Sequence, residues 1–484
     1  MGSGLRIAAL IYDALTVANM NAWHYWWVYG VSVAAFENPA DATIAIVTTW
    51  NRMPAGCLGT ALGLPYIALE LFSGCPGVPS HCPAYVCVEK PEGFATPRPR
   101  ASLEKVRLPG TSPPTRSAWL FRVPGRADIW KGGMLAELDR FRGCIVGLAV
   151  GDALGHPTEF VPSVRAIRAR WGESGVTTFE ATEDHPPGTF TDDTQMSIAA
   201  ARALIRAGHA GTDRLMTTLA REFVAWAGSP ENDRAPGGAC MSGCHALAAG
   251  AHWREAGVAH SKGCGAAMRA APFGLYFAGD SDALVRAAAA QSALTHRHPT
   301  GIASSVAAAA AVAAAFRSDD LSCLVPSVRA HVERVDETLL VDVGCEPALA
   351  GSIGNREMLA SLDRVEQTLA VDTDDVCSLL GGAWVGEEAV ATALWCVLRA
   401  GGDFRTAVLR GANSSGDSDS IACIAGAIAG AAWGLSAIGA SWVRDVENAE
   451  LLDLLARVLY DARRGRDTPF TGEALDPFDA ERLG

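Results

Sequence analysis

Asp192 and Asp193 follow Thr191 where the loop Gly188-Thr-Phe-Thr-Asp-Asp-Thr-Gln-Met196 turns into an apolar helix. Adjacent carboxylates repel, and a helix N-terminus, with its unpaired N–H groups and the positive end of its dipole, offsets part of that cost. Far downstream, Gly416-Asp-Ser-Asp-Ser420 opens a second apolar helix, Ile421 to Gly434, rich in small residues. Taken singly, each turn is explained by helix capping. Brought together, Thr191, Asp192, Asp193, Asp417, Asp419 and Ser420 would form an all-oxygen site, and hard oxygen donors select Mg²⁺ or Mn²⁺ over Zn²⁺.

The elements that must position these turns are helical. From Leu135 onward Phe141, Ile145 and Leu148 recur at helical spacing, while Gly143, Gly147, Gly151 and Gly155 fall every fourth residue. Glycines along one helix face cost propensity but let another backbone approach closely. Gly426, Gly430 and Gly434 repeat the device after the second acidic turn, which predicts two closely packed helices with the acidic site at their mouth. Met196, Ala200 and Leu204 give the helix after Thr191 an apolar stripe that Gly208 ends. Ser304 to Phe316, Ala-rich and too short to span a bilayer, reads as a buried helix.

Other segments could hold a substrate. Asn232-Asp-Arg-Ala-Pro-Gly-Gly-Ala-Cys240 and Ser261-Lys-Gly-Cys-Gly265 are Gly-rich turns leading into helices, where the N–H groups near Gly237, Gly238, Gly263 and Gly265 could cradle a phosphate or serve only as turns. His296 and His298 alternate in Leu294-Thr-His-Arg-His-Pro299, but alternate helical residues diverge and no partners stand at metal spacing, leaving a structural or substrate-positioning role. Trp384, in Gly381-Gly-Ala-Trp-Val-Gly-Glu-Glu388, could stack on a ribose or adenine or plug the core. Asp372-Thr-Asp-Asp375 is a rival acidic turn or solvated surface.

Read in order, Phe141-Arg-Gly-Cys-Ile-Val-Gly-Leu-Ala-Val-Gly-Asp-Ala-Leu-Gly155, Thr191-Asp-Asp-Thr194, Ser261-Lys-Gly-Cys-Gly-Ala-Ala-Met-Arg269, Thr295-His-Arg-His-Pro299 and Gly416-Asp-Ser-Asp-Ser420 resemble the ADP-ribosylglycohydrolase family over residues 134–480. The resemblance implies a compact all-α domain over 133–484 that cleaves the glycosidic bond between ADP-ribose and a protein side chain or small molecule. It implies that Thr191, Asp192, Asp193, Asp417, Asp419 and Ser420 ligate two Mg²⁺ or Mn²⁺ ions, with Asp193 and Asp419 catalytic. It also implies that Glu159, in Gly155-His-Pro-Thr-Glu-Phe160, is the family's mobile acidic residue, and that the glycine turns, His296 and Trp384 line the ADP-ribose cleft. Ala235 stands where many relatives carry an aspartate that contacts the ribose. The alternatives are a dinuclear phosphohydrolase, which ordinarily adds His ligands and cationic side chains near the phosphate, and a catalytically dead ADP-ribose-binding module, which would have lost a ligand.

The rest of the composition narrows the class. A length of 484 residues favours more than one domain, and 49% hydrophobic with 19% charged residues is a packed, globular balance. A net charge of −13 argues against nucleic-acid binding. Thirteen cysteines without Cys-x-x-Cys pairs suit a reduced, cytoplasmic setting, and a monomer away from membranes is expected. Residues 1–90 form an aromatic, β-branched extension, β-rich or poorly structured; residues 12–35, with Asn21-Ala-Trp-His-Tyr-Trp-Trp27, are similar to the end of a glycoside hydrolase barrel. Residues 91–132, with Pro91, Pro97, Pro99, Pro109, Pro113 and Pro114, read as a Pro-rich linker.

Overall fold

The computed structural model describes residues 126–466 continuously, with side chains from Ala136, and before them only a few short strands. The chain divides into two compact units, Met1–Met134 and Leu135–Gly484. In the first, Ser32–Val33 pairs antiparallel with Ile46–Val47, and Tyr85–Glu89 lies between Ala68–Glu70 and Ala118–Arg122. The aromatic cluster at residues 21–27 and the stretch 90–117 lie outside the described residues.

The second unit is all-α; among its described residues the β-type pairing is confined to the isolated bridges Val258–His296 and Gly263–Val385. Six helices carry the argument: α1 (Arg126–Gly155), α2 (Asp192–Ala207), α3 (Gly238–Ala248), α4 (Pro299–Arg317), α5 (Gly386–Leu398) and α6 (Ser418–Trp433). The spacing along α1 buries Phe141, Ile145 and Leu148, and Met196, Ala200 and Leu204 of α2 are buried as their stripe predicts. Helix α4 starts earlier than the sequence suggests, because Pro299 suits the first helical turn and the His298 ring accepts the N–H of Thr300 at 3.2 Å. At 19 residues α4 is long and apolar enough to cross a membrane, yet 94% of an 18-residue apolar stretch within it is buried in the fold, where it packs against α5 and α6 as a core helix. Its alanines let neighbouring helices close in.

The glycine faces of α1 and α6 meet. A β-carbon on Gly143 would lie 2.5 Å from the carbonyl oxygen of Gly430, and one on Gly147 would lie 2.6 Å from that of Gly426. Gly151 faces the backbone of Ala422, and Gly155 the backbone of Asp419. Contact is thus main chain to main chain along four turns of α1, and it ends at the second acidic turn. Gly151→Val should cost at least about 1–3 kcal/mol through overpacking against unyielding backbone. This is read as a lower urea midpoint. Gly228→Ala, whose new methyl would meet nothing closer than 3.6 Å, should leave the midpoint nearly unchanged.

Candidate active site

The last turn of α1 delivers Asp152, a fully buried carboxylate. Its Oδ1 accepts the N–H and the hydroxyl of Thr191, both at 2.9 Å, while Oδ2 accepts the N–H of Thr194 at 3.0 Å and its hydroxyl at 2.5 Å. Thr191 caps α2, as its position before the acidic pair predicts, but Asp152 anchors the whole turn. Sequence reasoning assigned this residue no role; the signal was an acid set among glycines on a face destined for close helix contact. A second clamp precedes Thr191: Arg234 donates to the carbonyl of Phe190 at 2.8 Å and to both carboxylate oxygens of Glu447 at 2.6 and 2.9 Å.

Thr191 and Asp419, 228 residues apart, touch: the Thr191 hydroxyl is 3.2 Å from Asp419 Oδ2, 3.4 Å from Asp193 Oδ2 and 2.9 Å from Asp152 Oδ1. One hydroxyl carries one proton, so three carboxylates converge on a single donor. Asp193 Oδ1 and Asp419 Oδ1 are buried with no hydrogen-bond partner. Glu159, Asp417 and Asp419, all buried, present oxygens within 4.8 Å of one another. Asp192 Oδ2 accepts the N–H of Gly237 at 3.2 Å, which ties the first glycine turn to the acidic pair. Ser420 is buried beside them, its hydroxyl 3.6 Å from Cys264 Sγ. The structure therefore brings together all six residues read as ligands, with Glu159 and the unanticipated Asp152.

Such crowding has an electrostatic signature. Burial, then Asp419, lifts the Asp152 carboxyl to about 7 and that of Asp192 to about 8. Burial, then Asp419 and Asp417, lifts Glu159 to about 11, and burial followed by Asp419 raises Asp193 and Asp417 well above the ordinary range. The donors are oxygens, two of them orphaned and buried, in a pocket with surplus negative charge. That donor set fits a hard divalent cation.

The glycine turns border this pocket. Gly237 precedes α3, and Gly263 and Gly265 flank Cys264, whose N–H donates to the Trp384 carbonyl at 3.3 Å. A β-carbon on Gly265 would come within 2.6 Å of Cys240 Sγ and 2.9 Å of the His296 ring, so no other residue fits there without displacing both. His296 is buried under this loop, its Nδ1 2.8 Å from the Thr295 hydroxyl. Burial, then Arg269, lowers it to about 3, so the ring is neutral. His298 caps α4. Trp384 is 49% exposed and stacks on Phe160, 68% exposed, with ring centroids 6.0 Å apart. Phe160 directly follows Glu159, and Gly382, two residues before Trp384, accepts the Asp417 N–H at 2.9 Å. Ala235 takes φ +50, a region in which Asp is enriched, so the family's aspartate would sit there more easily than alanine does. The rival turn is used otherwise: Asp375 Oδ1 accepts the N–H groups of Cys377 and Ser415, both at 3.2 Å, while Asp372 and Asp374 pair with Arg399 and Arg168 at the surface.

Comparison with known proteins places the chain in a family. The family model described as ADP-ribosylglycohydrolase matches residues 134–469. A protein from Archaeoglobus fulgidus without an assigned role is 31% identical over 67% of this chain and 96% of its own length. The zebrafish (Danio rerio) ADP-ribosylhydrolase ARH3 is 31% identical over 67% of this chain and 90% of its own. The ADP-ribosylarginine hydrolase Tri1 of Pseudomonas putida is 27% identical over 67% and 78%. A solved structure described as an ADP-ribosylglycohydrolase-related protein complex superposes with a TM-score of 0.52 at 24% identity, over 68% of this chain and 99% of that one, and shares the fold. The chain belongs to the ADP-ribosylglycohydrolase family and is a hydrolase of glycosyl bonds.

The raised carboxyls make stability depend on pH with a defined sign. Folded, Asp152 and Asp192 keep their protons to about 7 and 8; unfolded, they lose them near 3.8. The folded state therefore binds more protons across that window, and stability contributed at low pH is lost as pH rises through it. In EDTA, Tm should fall between pH 5 and about 8. Saturating Mn²⁺ or Mg²⁺, which displaces those protons, should flatten the trend, and identical profiles in calorimetry would count against a cation at this pocket.

Proposed function

We propose that this chain releases ADP-ribose from a modified protein side chain or small molecule, using Mg²⁺ or Mn²⁺, in one or two copies, held by Thr191, Asp192, Asp193, Asp417, Asp419 and Ser420. The observation that carries this reading is the meeting of two acidic turns 228 residues apart, with two buried carboxylate oxygens left without a protein partner. When bound, the divalent cation supplies Lewis-acid charge that orients ribose hydroxyls and polarises water.

The chain's own residues supply the rest. The N–H groups at Gly238, the first residue of α3, and at Gly263 and Gly265 favour the pyrophosphate, while the Gly237 N–H fixes the first glycine turn on Asp192. Trp384 offers a flat exposed face for a ring of the substrate, and His296 supports the Gly263–Gly265 loop from below. Glu159, its carboxyl beside Asp417 and Asp419, would lose its own proton to the positive charge of a bound cation and could then take a proton from the attacking water, while charge developing at the anomeric carbon is supported by the acidic pocket. A phosphohydrolase would want a free cation at the phosphate. Lys262, in the glycine turn, instead bonds Glu357 at 2.9 Å and Glu387 at 2.5 Å.

Asp193→Asn and Asp419→Asn should each abolish release of ADP-ribose from a modified protein while the helical circular-dichroism signal persists, and EDTA should do the same reversibly. Full turnover in excess EDTA would remove the metal from the mechanism. Glu159→Gln should lower turnover by ~10²-fold with Mn²⁺ binding intact. Loss of Mn²⁺ binding in calorimetry would make Glu159 a ligand and not a base.

A further inference from the structure

All six residues read as ligands offer oxygen, yet a sulfur stands among them. Cys264 Sγ donates to Asp417 Oδ2 at 2.8 Å and lies 3.6 Å from the hydroxyl of Ser420. No other cysteine thiol among the described residues has a hydrogen bond to a side-chain carboxylate. The thiol is fixed where it is: the Cys264 N–H is held by the Trp384 carbonyl, the adjoining Gly386 N–H donates to the Lys262 carbonyl at 2.8 Å, and Cys264 opens the short turn Cys264–Ala266. The same pocket contains the buried, unpartnered Asp193 Oδ1 and Asp419 Oδ1, two oxygens that call for a cation independently of the cysteine.

We propose that Cys264 places a sulfur donor in the wall of the acidic pocket, so that the site prefers divalent ions that accept sulfur, from Mn²⁺ to Zn²⁺ and Cd²⁺, over Mg²⁺. The inference rests on reading the pocket as a metal site. Ligand softness decides such preferences: Mg²⁺ gains little from a thiolate, whereas Zn²⁺ and Cd²⁺ gain much. On coordination the S–H bond breaks, its proton passes to solvent, and the sulfur electron pair forms the metal–sulfur bond. Asp417 Oδ2 then exchanges the thiol for the same cation.

The test uses the full chain and three probe ions, Mg²⁺, Mn²⁺ and Cd²⁺, titrated by calorimetry into wild type, Cys264→Ser and Asp193→Asn. Cys264→Ser should weaken Cd²⁺ binding by about 10–100-fold and Mn²⁺ binding by less, leaving Mg²⁺ as tight or tighter. The wild-type-minus-Cys264→Ser spectrum should show sulfur-to-Cd²⁺ charge-transfer absorption; taking the difference removes signal from other thiols such as the exposed Cys323. If Cys264→Ser does not fold, alkylation of wild type decides: Cd²⁺ should shield Cys264 from iodoacetamide far better than saturating Mg²⁺ does. An unchanged ratio of Cd²⁺ to Mg²⁺ affinity without difference absorption, or equal shielding by both ions, overturns the inference and leaves the metal site standing. Ion binding that Asp193→Asn does not weaken overturns both.

Discussion

Backbone presses on backbone where α1 crosses α6, and the position of every acidic group follows from that contact. A side chain at Gly143, Gly147, Gly151 or Gly155 would hold the helices apart. Without any, the end of α1 lies directly on the start of α6, and Gly155 rests against Asp419 itself. Thr158 then joins the two ends, its hydroxyl 2.6 Å from the Ala412 carbonyl and 2.9 Å from the Ser418 hydroxyl. The price is helix propensity at four positions, roughly 1 kcal/mol each, which burial of both helices in the core offsets. Nothing in the acidic turns themselves would bring them together, since their charges repel.

That repulsion explains the second layer of the design. Asp152 accepts four hydrogen bonds from Thr191 and Thr194, so its own oxygens are satisfied and it serves as a rigid post for the first turn. Asp193 and Asp419 are each left with a buried oxygen that has no partner. A buried carboxylate oxygen without a partner calls for a donor or a cation to face it. The fold is therefore poised between a protonated form and a cation-bound form, and helix packing supplies the free energy that keeps the arrangement from springing apart.

Much of this was legible in the sequence because it is periodic or local. Glycines every fourth residue announce a close helix contact, and an acidic pair behind a threonine announces a helix start. The recurrence of that start before Ile421 suggested a shared site. Asp152 was not legible as an anchor, since its partners lie 39 and 42 residues away and only the fold shows which N–H groups it meets. Cys264 was hidden for the same reason: in Ser261-Lys-Gly-Cys-Gly265 it reads as part of a Gly-rich turn, and its neighbour Asp417 is 153 residues distant. The beginning of α4 was misjudged because the capping ring of His298 belongs to a His-x-His pair that draws attention as metal chemistry.

The loops around the pocket are joined to the acidic turns by main-chain bonds and not only by proximity. Gly237 donates to Asp192, Asp417 donates to Gly382, and Cys264 donates to Trp384. A shift in the glycine turns or at Trp384 must therefore move a candidate ligand, so the groups that would hold pyrophosphate and the groups that would hold a cation form one hydrogen-bonded frame. Glu159 stands apart from that frame. It is tied in through Thr158 behind it, while Phe160 ahead of it is exposed and touches Trp384 ring to ring. Stacking of this kind is worth about 0.5–1.5 kcal/mol beyond burial, small enough to be exchanged for contact with a ligand. The frame is built of main-chain bonds, whereas the outer end of the segment carrying Glu159 meets Trp384 through a ring-to-ring contact of two exposed side chains.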